Sequence, residues 1–161
     1  MKTAHCPRFR AVRGFTLVEL VMVIVLVGVL AVFVAPRLSN ADFHARGFHD
    51  ENLALLRYAQ KAAIAQRRTV CVVFSTSSVT LNMAAAGLTS CPGSTALTGP
   101  NGETPALVTA RSGVAYLAQP ANFSFDALGQ PSASQSFQVA SAGVAIALTT
   151  TVEAGTGYVH D

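Results

Sequence analysis

From Phe15 to Ala35 the chain reads FTLVELVMVIVLVGVLAVFVA, a run of 21 residues with one charge, Glu19, and one other polar side chain, Thr16. About 20 apolar residues cross a bilayer as a helix, so the length predicts a membrane-spanning helix. Beyond Pro36 the pattern changes. Between Asn40 and Arg67, Phe48, Leu55, Ala59 and Ala62 recur at helical spacing, while Asp50, Arg57, Lys61 and Arg68 share another face. This predicts a second, amphipathic helix whose charged face is a solvated surface. Joined to the first, it would extend one gently bent rod of about 80 Å at ~1.5 Å per residue.

From Thr69 onward β-branched residues alternate with turn formers. Val70–Ser75 and Ser78–Met83 read as a hairpin turning at Thr76-Ser77. Residues 84–105, rich in Gly, Pro, Ser and Thr, read as a long loop. Short strands are predicted at Leu107–Ala110, Val114–Ala118, Asn122–Phe125, Ser136–Ala140, Val144–Val152 and Gly157–His160. Helix first and strands after predicts an α+β fold, one long N-terminal helix packed in its second half against an antiparallel sheet.

Charge refines this picture. Charged residues are only 12% of the 161 and mean hydropathy is +0.44, against roughly 25% charged in soluble domains, which excludes a disordered chain. The net +3 comes from Lys2, Arg8, Arg10 and Arg13 ahead of the apolar run. Without residues 1–14, seven basic face eight acidic residues, so the remainder has no strong electrostatic claim on nucleic acid. Basic residues before the run and none within it place the N-terminus in the cytoplasm and the chain beyond the run on the exported side. The run is longer than a secretory h-region, and Pro36 follows Ala35 at the one tempting signal-peptide junction, so retention as an anchor is expected. Glu19 is costly in such a segment, by roughly 2.5–3.5 kcal/mol on insertion scales. Either it lies near the headgroups and snorkels, or it meets a cation such as a new α-amino group freed by a cut before Phe15.

Arg13-Gly14-Phe15-Thr16-Leu17-Val18-Glu19-Leu20 resembles the processing site of type IV prepilins and of the pseudopilins of type II secretion. The resemblance implies cleavage between Gly14 and Phe15 by a prepilin peptidase, N-methylation of Phe15, and pairing of Glu19 with a neighbouring subunit's N-terminus during assembly. Gly28 and Pro36 match positions where pilin helices loosen or kink. It divides the chain into a cleaved leader (1–14), a transmembrane and assembly helix (15–36) and a periplasmic pilin-like domain (37–161). Further on, residues 56–65 are similar to the helix of minor pilins and pseudopilins of the secretion protein H, FimT or mannose-sensitive haemagglutinin kind. Phe125-Asp126-Ala127-Leu128-Gly129-Gln130-Pro131 resembles a turn those proteins carry, and Thr156-Gly157-Tyr158-Val159 their last strand. Physically, Asp-x-x-Gly-x-Pro is explained as a chain reversal.

Cys6 lies in the leader, so cleavage would leave Cys71 and Cys91 as an even pair in an exported domain. A disulfide is the first expectation and two buried free thiols the second. Zinc is disfavoured without Cys-x-x-Cys or clustered His. No phosphate loop, Gly-x-Ser-x-Gly elbow or His-Glu-x-x-His is present. His44 and His49 are five apart and off one helical face, and Asp126 and Glu153 fall in separate strand regions. No catalytic, metal or cofactor-binding residues are therefore expected. In DNA-uptake relatives basic residues follow the closing Thr-Gly; here none follows Arg111, so nucleic acid is not expected as a partner. The sequence reads as a non-enzymatic minor pilin or pseudopilin of the bacterial inner membrane, with its C-terminal domain in the periplasm before incorporation into a pilus or pseudopilus. Its expected partners are the peptidase and other subunits. The rivals are a single-span binding or sensor module that never polymerises, a DNA-uptake minor pilin and an anchored hydrolase.

Overall fold

The computed structural model describes residues 15–34, 40–92 and 95–161. Its contacts divide the chain into two units, Met1–Leu38 and Ser39–Asp161. The leader, Pro36 and the join that a continuous rod would need lie outside the described residues.

In the first unit, helix α1 spans Leu17–Val34. It runs unbroken through Gly28, where a methyl group would meet nothing. Every side chain from Phe15 to Leu30 is exposed. Among the described residues no helix is long and apolar enough to cross a membrane. The 18 residues of α1 reach about 27 Å at ~1.5 Å per residue, short of the ~30 Å hydrocarbon core.

The second unit is built on α2, Asn40–Gln66. Its apolar stripe (Ala45, Phe48, Leu55, Leu56, Ala59, Ala63) is buried, as the helical period requires. Arg67 ends the helix in the left-handed region at φ 49°. There the Arg68 N–H donates to the Ala63 carbonyl at 3.2 Å, capping the last turn.

The strands are β1 Val70–Phe74, β2 Ser78–Met83, β3 Thr95–Ala96, β4 Leu107–Thr109, β5 Val114–Tyr116, β6 Phe123–Phe125, β7 Gln135–Ser141, β8 Val144–Val152 and β9 Val159–His160. They form two antiparallel sheets rather than one. β3-β2-β1-β6 with β4 also on β2 makes the first; β5-β7-β8-β9 makes the second. Alternation fixes which face of a strand is buried but not which strand pairs with it. β5 departs to the second sheet before β6 returns to β1. The predicted loop 84–105 also contains β3, whose two exposed residues pair with Asn82 and Met83. Two residues are too few to show a period.

In β1 and β2 the alternation holds: Val70, Val72 and Phe74 face Met83, Leu81 and Val79 across the ladder, all inward. Phe74, Tyr116 and Phe137 pack edge-to-face, with ring centroids 5.4–5.5 Å apart, and join the sheets over Phe48. Polar groups inside are mostly satisfied. The Tyr116 hydroxyl donates to Asn52 Oδ1, and Asn52 Nδ2 donates to the Phe48 carbonyl at 2.6 Å. Burial pushes the Tyr116 phenol up, against the opposing effect of that hydrogen bond.

Cys71 in β1 is bonded to Cys91, Cα atoms 6.3 Å apart. The bond anchors the loop ahead of β3 to the sheet. Closing a loop of this length stabilises by about 3 kcal/mol in the chain-entropy model. Replacing both cysteines by alanine is expected to lower unfolding free energy by about that amount in denaturant titrations. Free thiols on the denatured, unreduced wild-type domain would contradict the bond.

Candidate processing and assembly site

Thr16 and Glu19 organise the start of α1. Thr16 stands just before the first helical residue, and its Oγ1 accepts the Glu19 N–H at 3.2 Å. The Thr16 carbonyl accepts the Leu20 N–H at 3.2 Å. This is the N-cap half of a Thr-x-x-Glu capping pattern, which satisfies one donor that the first turn would leave orphaned. The Thr16-to-Glu19 spacing is the sequence signal for this cap, less conspicuous than the charge of Glu19 in an apolar run. Glu19 lies in the first turn, where the helix dipole favours a carboxylate. Phe15 lies just ahead of the cap and is 79% exposed. Gly14 and Pro36 lie outside the described residues; Gly28 sits mid-helix in α1, far along the chain from Glu19.

The motif-like segments of the second unit converge on one point. Gln60 Nε2 on α2 donates to the Gly129 carbonyl at 3.1 Å and to the Thr156 carbonyl at 2.9 Å. In the 126–130 turn, Asp126 Oδ1 accepts the N–H groups of Leu128 and Gln130 at 2.9 and 2.8 Å. Gly129 takes φ 81°, and Pro131 makes only an isolated bridge to Phe125. The reversal reading of Asp-x-x-Gly-x-Pro therefore describes the geometry. Gln60 had no sequence signal, because its partners are backbone carbonyls far along the chain.

The charged face of α2 is solvated as expected, with Asp50, Arg57 and Lys61 all exposed, yet two of its arginines also reach backbone. Arg57 Nε donates to the Val159 carbonyl at 3.0 Å, tying the helix to β9. Arg68 lies beyond the end of α2, and its guanidinium donates to the Ala84 carbonyl. Both capture carbonyls that a helical wheel cannot show.

The histidines do not meet. His49 is buried, with Nδ1 3.3 Å from Thr150 Oγ1 and Nε2 without a partner in the described structure, whereas His44 is half-buried. Among the described residues no group of three His, Cys, Asp or Glu is placed to hold a metal. His160 Nε2 lies 3.1 Å from Glu153 Oε1. The Glu153 hydrogen bond, with the Asp161 carbonyl behind it, raises the His160 pKa above 6.5. A raised folded value means that the contact contributes fully below the unfolded value near 6.5 and is lost as pH rises through the folded value. Glu153→Gln is expected to bring the His160 NMR titration midpoint down; an unmoved midpoint would assign the shift elsewhere.

Residues 9–35 match the family described as the prokaryotic N-terminal methylation motif. No curated protein and no solved structure shows a significant match to the chain. The matched segment takes in the Gly14-Phe15 junction, the Thr16 cap, Glu19 and all of α1. The chain carries, over residues 9–35, the methylation signal of type IV prepilin-like proteins.

Proposed function

We propose that the protein is a minor pilin or pseudopilin, a structural subunit rather than an enzyme. A prepilin peptidase would cut between Gly14 and Phe15 and the new Phe15 amine would be methylated. The anchored chain would enter a type IV pilus or type II secretion pseudopilus from the bacterial inner membrane. One observation carries this reading: from Leu17 to Leu30 every residue of α1 is exposed, and all but Glu19 are apolar. A helix of that kind needs lipid or neighbouring helices over its whole surface. The apolar run continues to Ala35 in the sequence, and as a helix throughout it would match the ~30 Å hydrocarbon core.

Assembly replaces lipid by other apolar helices, so the apolar area covered changes little with axial sliding, whereas a buried charge pair is made at one register only. Glu19 meeting a neighbour's Phe15 amine would fix the register, with desolvation offsetting much of the attraction. The second unit, with its own core and the Cys71–Cys91 bond, would stand on the periplasmic side.

Shearing and sedimenting surface filaments or overproduced pseudopili tests this. The processed chain is expected in the filament fraction. A chain found only in membranes, with filaments present, would favour a non-polymerising anchored module.

A further inference from the structure

Between α2 and β4 lies a cavity of about 370 Å³, lined on its apolar side by Ala54, Leu55, Leu107 and Val108 and on its polar side by Glu51 and Glu103. Among the described residues no cationic side chain lines it. Glu103 Oε2 accepts the Asn101 N–H at 3.1 Å. Among the described residues neither carboxylate has a cation within ion-pair distance. Leu107 remains 44% exposed in this acidic setting. Arg111 and His44 line an adjoining cavity of about 210 Å³ that shares Glu51.

The far end of α2 has the complementary character. Ile64 is 49% exposed, and Leu128, 77% exposed, sits on the turn whose Gly129 packs against Ile64. Lys61 and Arg67, three residues to either side of Ile64, are exposed. Arg57 and Arg68 are already committed to the Val159 and Ala84 carbonyls, so among the described residues Lys61 and Arg67 are the cations left to this end. It is an apolar knob flanked by positive charge; the groove is an apolar hollow flanked by negative charge.

We propose that the groove between α2 and β4 seats the Lys61–Arg67 end of α2 from a second copy of this chain, Ile64 against Leu107 and the two cations against Glu51 and Glu103. The inference rests on the assembly reading above and names one of its contacts. Because knob and groove are different surfaces of one chain, the contact is head-to-tail, and an unclosed head-to-tail contact propagates as a filament. Exposed ion pairs of this kind set register and partner choice more than affinity.

Cross-linking of the full chain in native membranes tests it, with Cys6→Ser as background. A chain carrying both Ile64→Cys and Leu107→Cys is expected to give a ladder of dimers and larger species on oxidation. Mixed single-site chains should give dimers only, and either alone should stay monomeric. Glu51→Lys with Glu103→Lys should cut the mixed dimer by about tenfold or more. Lys61→Glu with Arg67→Glu on the partner should restore it. Absence of the mixed dimer while the chain still sediments with filaments overturns this contact and leaves assembly standing. Absence of the wild-type chain from filaments overturns the assembly reading itself. Ile64–Ile64 dimers, a ladder indifferent to charge reversal, or cross-links to a different subunit alone would each overturn the proposal.

Discussion

Gly157→Ala is expected to destabilise the second unit by about 3 kcal/mol or more. Gly157 has φ 66°, a region that costs an L-residue roughly 1–2 kcal/mol. A Cβ there would also overlap the Gly129 carbonyl oxygen, approach Gln60 Nε2 to 2.8 Å and Phe125 Cε1 to 3.2 Å. None of these can yield easily. Phe125 is fully buried, and the Gly129 oxygen and Gln60 amide are bonded to each other. Crowding of this kind adds roughly 1–3 kcal/mol. Gly143 provides the control: its φ is 82° but a methyl there would meet nothing. Gly143→Ala should therefore show the backbone cost alone. Chemical denaturation of both variants decides the matter, and equal losses would remove the packing part of the explanation.

Glu19→Val is expected to lower incorporation into filaments by about tenfold or more at equal membrane levels. Were Glu19 paired with a neighbour's Phe15 amine as proposed, that charge-assisted contact would contribute roughly 1.5–3 kcal/mol, and its loss would leave the amine unpaired. The cap on α1 uses the amide of Glu19 rather than its carboxylate, so valine should leave the helix start intact. Cleavage should proceed, and membrane insertion should be equal or better, because a charge has left the apolar run. Co-sedimentation with sheared filaments is the measurement. Undiminished incorporation would make Glu19 a passive residue and leave the register to apolar packing.

The elements legible in the sequence were those whose signal is local. The span of α2 followed from the recurrence of Phe48, Leu55, Ala59 and Ala62, and the β1–β2 hairpin from alternation on both sides of Thr76-Ser77. The motif around Gly14, Phe15 and Glu19 was legible because its residues are contiguous. The features that escaped depend on distant partners. The division into two sheets is decided by which strand each pairs with. Arg57, Gln60 and Arg68 act on backbone carbonyls that any residue could present. The cap at Thr16 is local too, readable from its three-residue spacing to Glu19.

Whether this chain is processed as a prepilin is decided by the intact mass of the membrane-extracted protein. The expected species begins at Phe15 with one methyl group on its amine and lacks all of residues 1–14. A membrane species that retains Met1 or Lys2 in cells where other prepilins are cut would contradict it.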